Sequence, residues 1–196
     1  PLDSKKKFID QFFSGINEST KIIFISHITS QTALIFPVEE ICEFAKSKGI
    51  TTIIDGAHAP GHVDLDISQI GCGYYTGACH KWMCAPKGSS FLYVAKNFQK
   101  GMSPQIMSWG EKGDDPGPSQ FLMDFQWQGT KDMSAFLAIP SAIRFLQKNK
   151  WREKSVSSKN LISYLAGRLK DILGTASLFK NKNWVGQMIS YPLPMD

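Results

Sequence analysis

Two short apolar runs, separated by a helical pattern, constrain most strongly what this chain can fold into. Residues 21–26 and 50–54 are rich in isoleucine and have the pattern of strands that are buried on both faces of a parallel sheet. Between them, Pro37 suits the start of a helix and Gly49 its end. Strand, helix and strand within about thirty residues form a βαβ unit. The sequence therefore predicts an α/β fold with a mostly parallel sheet.

The same α/β pattern extends along the chain. A helix is expected over residues 5–13, because the apolar residues there recur at intervals of three and four. Pro140 should kink or open a helix that Asp132 caps. The other predicted elements are strands over 73–76 and 90–95, long loops over 96–128, a helix over 151–173 and a strand that begins within 187–191.

Composition excludes several classes of protein. The 196 residues are 42% hydrophobic, which is typical of a folded domain and not of a disordered chain. The net charge of +5 is scattered, with no face of alternating basic and aromatic residues, so we expect no nucleic-acid partner. No apolar run approaches the roughly 20 residues of a membrane span. The four cysteines are too few and too unevenly spaced for a disulfide scaffold or a zinc site, which favours a reducing, cytoplasmic compartment.

The two ends of the chain suggest a section of a longer protein. Pro1 opens it without a methionine or a basic and apolar leader, and a helix follows with no strand before it. At the other end, the chain stops just as its last predicted element begins.

Asp55 and Lys81 are the residues that point most directly to chemistry. Asp55 follows a predicted strand at its carboxyl end, where open α/β sheets hold their ligands. It can be a turn or cap residue, or an anion that holds a cationic ring nitrogen. Lys81 lies in a compact loop next to Trp82 and Met83, and apolar neighbours would desolvate its amine and favour the free, nucleophilic form. Their joint occurrence at neighbouring strand ends favours a catalytic interpretation.

Three motifs carry a resemblance to a known family. They cover residues 54–61 (IDGAHAPG), 75–82 (YTGACHKW) and 85–88 (APKG). Together they resemble the class V aminotransferase family of pyridoxal-phosphate enzymes, and within it the isopenicillin N epimerase-like branch. The resemblance implies a fold type I architecture, whose large domain has a mostly parallel sheet with helices on both faces. It further implies that residues 1–150 are part of this cofactor-binding domain and that 151–196 are a connecting helix and the start of a small domain.

The resemblance also implies a role for the two candidate residues and for two histidines. Lys81 would form the Schiff base with pyridoxal 5'-phosphate, the internal aldimine, and would shuttle the α-proton of the substrate. Asp55 would pair with the pyridinium nitrogen, which keeps the ring an effective electron sink. His80 would contact the cofactor phosphate, and His58 would lie near the ring hydroxyl.

Two further positions match the family pattern less directly. Ser30 stands where cysteine desulfurase relatives have an asparagine near the ring hydroxyl, and it can still donate a hydrogen bond. Ala78 replaces a phosphate-binding serine of those relatives. Thr130 resembles the threonine that reaches the phosphate of the partner subunit's cofactor, which implies a homodimer with shared active sites.

The function implied is that of a pyridoxal-phosphate enzyme acting on an amino acid or a derivative. Epimerase, aminotransferase and sulfur-lyase chemistry all stay open, although no cysteine is placed as a desulfurase nucleophile. In the family, segments upstream and downstream complete the site, so we expect the 196-residue stretch alone to bind the cofactor weakly.

Two other classes of function are weighed against this one. One is a non-catalytic α/β scaffold or binding protein, which the presence of both Asp55 and Lys81 disfavours. The other is a metal-dependent hydrolase that uses His58 and His62 with Asp64 or Asp66. Residues 60 and 61, a proline and a glycine, interrupt any helix that could present both imidazoles on one face.

Overall fold

The computed structural model describes residues 4–111, 117 and 119–194. Twelve regular elements are described, together with short 3₁₀ turns at Trp109–Glu111 and Lys182–Trp184. In chain order they are α1 (Lys5–Ser14), β1 (Ile22–Ser26), α2 (Val38–Ser47), β2 (Thr51–Asp55), α3 (Ile67–Ile70), β3 (Tyr74–Ala78), β4 (Ser90–Val94), α4 (Lys96–Gln99), α5 (Gln120–Gln126), α6 (Ser134–Leu137), α7 (Ile139–Lys148) and α8 (Trp151–Leu173).

The four described strands form one sheet in the order β1-β2-β3-β4. The first three run parallel, and β4 returns antiparallel to β3. The register pairs Ser26 with Asp55 and Asp55 with Thr76, so three polar residues end up side by side at the carboxyl edge of the parallel strands. The α/β fold with a mostly parallel sheet is confirmed.

One face of the sheet, the inner face, is defined by Ile23, Ile25, Ile54 and Tyr75 and forms the core. All four side chains are buried, because the apolar stripe of α2 packs against them together with phenylalanines of α1. Every apolar position expected on α2 is buried, from Val38 to Ala45. The hydrophobic period of this helix therefore decides how it docks, and its burial is the main favourable term holding the βαβ unit together.

The opposite face, the outer face, is defined by Ile22, Phe24, Ile53, Tyr74 and Leu92. Here the expectation that β1 is buried on both faces is wrong for this chain. Ile22 and Phe24 are 57% and 69% exposed, because β1 is the edge strand among the described residues and no described helix packs over it. Further along this face, Tyr74 is covered by α4: the ring centroid of Phe98 lies 5.4 Å from that of Tyr74.

The helices after the sheet agree with the sequence in some places and differ in others. Pro140 does open the predicted helix, which is divided at Ala138 into α6 and α7, with the proline in the first turn of α7. The bounds of α8 are those predicted, and Gly174 ends it in the left-handed conformation. In the predicted loop region, α5 forms behind a Ser119 cap. Residues 112–116 and 118 of that region lie outside the described residues.

The stretch after α8 is not the predicted strand: residues 187–191 have no regular structure. Gln187 and Ser190 hydrogen-bond to His62 and Gln31 without forming a backbone ladder, and Trp184 just before them also packs onto the sheet domain. Trp184 is fully buried, its ring 5.5 Å from Phe8 and 6.4 Å from Phe36. The division into residues 1–150 and 151–196 stays a prediction. In the part of the chain described, no helix combines the length and the apolarity that crossing a bilayer requires.

Two buried histidines make the fold sensitive to acid. His27 lies against Tyr75, with its Nδ1 2.9 Å from the tyrosine hydroxyl, and His62 is buried under Trp82. Burial lowers the pKa of each to about 4, and the charge of Lys5 adds to the effect at His27. An unfolded histidine takes up a proton near pH 6.5, so protons favour the unfolded chain between these two values.

We therefore expect the free energy of unfolding to fall as the pH drops from 7 to 5, by about 2 kcal/mol for each histidine. Urea unfolding at pH 7, 6 and 5 measures this. Replacing His62 by glutamine, which cannot take up a proton in this range, should roughly halve the loss. An equal loss in His62→Gln would contradict the assignment.

Gly77 of β3 gives a second test of the packing. A Cβ added there would lie 2.3 Å from the ring of Phe91, its cross-strand partner, and 3.0 Å from Pro60. We expect Gly77→Ala to destabilise the fold by about 1 to 3 kcal/mol, the usual cost of overpacking. Gly167→Ala is the matched control: it lies within α8 with open space around it, so the same added methyl should stabilise the helix by about 0.5 to 1 kcal/mol. Thermal unfolding distinguishes them, and equal shifts would contradict this packing.

Candidate functional site

The carboxyl edge of the parallel strands holds Asp55. It is the last residue of β2, is half-buried, and lies in register with Ser26 and Thr76 on the outer side of the sheet. Its Oδ1 accepts a hydrogen bond of 3.0 Å from the backbone N–H of Ala57, two residues on. Asp55 is therefore a turn-forming residue, as one interpretation of the sequence had it. It is at the same time a carboxylate at the edge where α/β sheets hold ligands.

The turn after Asp55 is held tightly against β3. The N–H of Gly56 donates to the carbonyl oxygen of Thr76 at 2.9 Å, and the ring of Tyr75 occupies the space that a side chain at position 56 would need. Further along, Gly61 passes so close to the backbone of Trp82 that an added Cβ would lie 2.6 Å from its carbonyl oxygen. These close approaches bring the turn that carries His58 against the loop that carries Lys81.

The loop between β3 and β4 positions Lys81 and Trp82. It is closed by backbone hydrogen bonds from Cys79 to Ser89 and from Ala85 to Cys79, at 3.1 and 3.0 Å. Lys81 is exposed, so the expected desolvation of its amine is not seen in this chain.

His58 is the meeting point of the two loops. Its Nε2 lies 3.1 Å from Nζ of Lys81, and the indole N–H of Trp82 donates to its Nδ1 at 3.3 Å. Burial lowers the pKa of His58, the charge of Lys81 lowers it further, and the carboxylate of Asp55 acts in the opposite direction. The lysine and the aspartate that the sequence singled out thus both act on one imidazole.

His80 points its ring the other way. Its Nδ1 lies 2.9 Å from the carbonyl oxygen of Ser89, which can only accept, so Nδ1 carries the hydrogen. In the neutral ring Nε2 is then an acceptor, and it can donate to a phosphate only when the ring is a cation.

Ser30 and Thr130 are not joined to this cluster. Both are exposed, Ser30 in the turn after β1 and Thr130 after α5. Over residues 4–111, 117 and 119–194 no recorded hydrogen bond links either hydroxyl to His58 or Lys81. Of the six residues expected at the site, the structure places Lys81 against His58 and Asp55 close enough to act on the same imidazole, while the roles of all six stay predictions.

Three side chains that a metal-dependent hydrolase would need as ligands are used in other hydrogen bonds and ion pairs. His62 uses Nε2 to accept the backbone N–H of Gln187 at 2.7 Å. Asp64 pairs with Arg152 at 2.6 Å, and Asp66 caps α3 through the N–H of Ser68. Among the described residues, no group of three or more histidine, cysteine, aspartate or glutamate side chains is arranged to hold a metal ion.

Three residues near the site were not given a role there by the sequence: Trp82, His62 and Gln187. Trp82 was noted only as an apolar neighbour of Lys81, and its hydrogen bond depends on how two distant loops pack. The indole of Trp151 reinforces the same region by donating to the carbonyl oxygen of Gly61. The sequence contains no local signal for contacts across 24 to 125 residues.

Comparison with known proteins finds relatives of two kinds, named as epimerases and as a desulfhydrase. The chain is 36% identical to isopenicillin N epimerase of Streptomyces clavuligerus over 192 residues, 92% of this chain and 48% of that protein. It is also 36% identical to the isopenicillin N epimerase of Amycolatopsis lactamdurans over 154 residues, 74% of this chain and 39% of that one. A plant protein described as a probable L-cysteine desulfhydrase, from Arabidopsis thaliana, is 30% identical over 159 residues, 76% of this chain and 32% of its own length. The chain thus spans less than half the length of these relatives.

Solved structures show the same fold. The apo structure of cysteine desulfurase from Thermococcus onnurineus superposes with a TM-score of 0.74 at 19% identity, covering 89% of this chain and 44% of that one. A cysteine desulfurase of Escherichia coli gives 0.70 at 18% identity, with 90% and 44% covered. The expected fold type I architecture of pyridoxal-phosphate enzymes is confirmed. The family model described as aminotransferase class V matches residues 2–192. The chain therefore belongs to the class V aminotransferase family, whose epimerase and desulfurase members depend on pyridoxal phosphate.

Proposed function

We propose that the protein is a pyridoxal-phosphate enzyme that acts on an amino acid or an amino-acid derivative. The observation that carries this proposal is the contact of 3.1 Å between Lys81 and His58, at the sheet edge where Asp55 ends β2. Membership in the class V family supports it. An amine, an imidazole and a carboxylate that converge on one edge of an α/β sheet are a catalytic arrangement and have no evident purpose in a scaffold.

The residues present suit the cofactor at both ends of its ring. Oδ1 of Asp55 is used by Ala57, and in the described part of the chain no hydrogen bond reaches Oδ2, which leaves that oxygen for a ring N–H. Pyridoxal phosphate, when bound, supplies an electron sink that stabilises negative charge at the substrate α-carbon. We assign to Asp55 the role of a carboxylate that would keep the ring nitrogen protonated.

Lys81 supplies the nucleophile. With the cofactor bound, its primary amine would be the group that condenses with the aldehyde. The same amine, when it is free, would accept a proton from the substrate α-carbon and return one. His58 holds the lysine at this edge through its Nε2.

The phosphate end requires donors that lie further away. We assign this role to the cationic form of His80, whose Nδ1 donates to Ser89, and to Thr130 of the partner subunit's chain in a homodimer with shared sites. Ser30 is assigned to the ring hydroxyl.

The reaction type follows from the substrate contacts, which lie largely outside these residues. Relatives named as epimerases are 36% identical, and those named as desulfhydrases or desulfurases are 25 to 30% identical. Cys42, Cys72 and Cys79 are buried and Cys84 is exposed. Epimerase and aminotransferase chemistry therefore have more support than sulfur transfer to a cysteine of this chain. The four free thiols suit the cytoplasm.

The first test identifies the lysine. The full chain is incubated with excess pyridoxal phosphate, reduced with borohydride and digested, and the modified peptide is located by mass spectrometry. We expect the label on Lys81, and its loss in Lys81→Ala. Lys87→Ala, which removes another exposed lysine of the same loop, is the matched control and should leave the label in place. Label spread over several lysines, or retained in Lys81→Ala, would favour the scaffold interpretation.

The second test concerns the charge of Asp55. Asp55→Asn preserves the side-chain oxygen that accepts the Ala57 N–H and removes the negative charge. We expect the labelling of Lys81 to persist. We expect α-proton exchange of a bound amino acid to slow by on the order of 100-fold, because the negative charge that would keep the cofactor ring nitrogen protonated is lost. Exchange is measured by deuterium incorporation from D₂O. An unchanged rate would show that Asp55 acts only as a turn residue.

A further inference from the structure

A chain of contacts leads from the stretch after α8 to Lys81. The N–H of Gln187 donates to His62, the ring of His62 lies on the ring of Trp82, Trp82 donates to His58, and His58 contacts Lys81. We propose that Trp82 and His62 are positioning residues that hold His58 in the tautomer with its hydrogen on Nε2, so that His58 donates a hydrogen bond to the neutral amine of Lys81. This inference rests on the proposed function, in which that amine is the nucleophile.

The first step is the bond between Trp82 and His58. An indole N–H can donate and cannot accept. The atom it reaches, Nδ1 of His58 at 3.3 Å, must therefore present a lone pair. A neutral imidazole has one N–H, so in His58 the hydrogen lies on Nε2. The tryptophan thus selects one of the two tautomers.

The second step is the contact of 3.1 Å between Nε2 of His58 and Nζ of Lys81. Since Nε2 carries the hydrogen, it donates and Nζ accepts. Only an uncharged amine has a lone pair with which to accept. In the reverse arrangement a protonated Lys81 would donate to Nε2, both ring nitrogens would be acceptors, and the ring would have to be an anion. The two contacts together are therefore made by the free amine, which is the form that attacks an aldehyde.

The electrostatics of His58 agree with a neutral ring. The pKa of His58 is lowered mainly by burial of its ring. A neutral imidazole can both accept from the indole and donate to the amine, whereas a doubly protonated ring could not accept from Trp82. Burial of the ring thus keeps the two-sided hydrogen-bond pattern intact.

The third step is what fixes Trp82. Its ring centroid lies 4.2 Å from that of His62 at an angle of 57°. His62 is 4% exposed, and Gln187 holds it through a backbone bond of 2.7 Å to Nε2 and a side-chain bond of 2.9 Å to its carbonyl oxygen. Because Nε2 accepts, the hydrogen of His62 is on Nδ1, a buried atom without a hydrogen-bond partner among the described residues. The position of this ring is thus set by Gln187 and by packing, at the cost of one unmade hydrogen bond.

Two measurements test the proposal, and the first needs no cofactor. In the full chain labelled with ¹⁵N-histidine, long-range ¹H–¹⁵N correlation spectra at pH 7.5 report the tautomer of each imidazole, and His58→Gln assigns the signal. We expect the Nε2–H form for His58. In Trp82→Phe, which keeps an aromatic ring on His62 and loses the donor, the signal should shift towards the Nδ1–H form, since a protonated Lys81 can then donate. Trp109→Phe, at an indole that is 87% exposed, is the control and should leave the signal unchanged.

The second measurement is the rate at which pyridoxal phosphate labels Lys81. We expect Trp82→Phe to slow labelling roughly tenfold, the effect of one hydrogen bond. In a His58→Gln background the same substitution should have little effect, because an amide can donate to Lys81 whatever Trp82 does. This non-additivity separates a positioning role from general loss of stability.

The outcomes also separate this inference from the proposed function. A wild-type His58 in the Nδ1–H form, a tautomer unmoved in Trp82→Phe, or equal slowing in both backgrounds would overturn the role of Trp82. If Lys81 takes up no label in the wild type, the proposed function fails, while the spectra still decide the tautomer.

Discussion

The parallel pairing of β1, β2 and β3 is the constraint from which the rest of the site follows. Their register fixes Ser26, Asp55 and Thr76 in one row, and it sends the chain out of the sheet at the same edge each time. A slip of one residue would turn Asp55 towards the core, and would turn Ile54 towards the solvent. Burial of Ile54 and Tyr75 on the inner face prevents that slip, so the apolar core determines which side of the sheet the carboxylate lies on.

The two loops beyond that edge are then joined by contacts that few residues can make. Gly61 allows the backbone of Trp82 to approach, and Tyr75 fills the space above Gly56. Between these loops, His58 satisfies an indole on one side and meets an amine on the other. The contacts around Lys81 thus depend on neighbours that are not adjacent to it in the sequence, including a backbone N–H more than a hundred residues away.

Sequence reasoning succeeds where a single local signal decides the structure. The stripe of α2, the break at Pro140 and the end of α8 at Gly174 are of this kind. It fails where the environment of a residue is set by elements that are distant in the sequence. Phe24 has the pattern of a buried strand residue, yet it is exposed because the layer that would cover it is not among the described elements. Residues 187–191 look like a strand but find side-chain partners in place of a ladder. Near the candidate site, the placement of Asp55 at a strand end and of Lys81 in the next loop can be predicted from the sequence, whereas the contacts of Trp82 and Gln187 depend on packing between distant segments.

The outer face has a consequence for how this stretch behaves in water. Ile22 and Phe24 present exposed apolar surface on β1, and among the described elements the outer edge of β1 has no neighbouring strand. Such an edge is a template on which another strand can add, and such a surface attracts any apolar layer within reach. In dilute solution, this exposed apolar surface and open strand edge would promote self-association of the chain. The same features would stabilise the binding of any polypeptide layer that covers them.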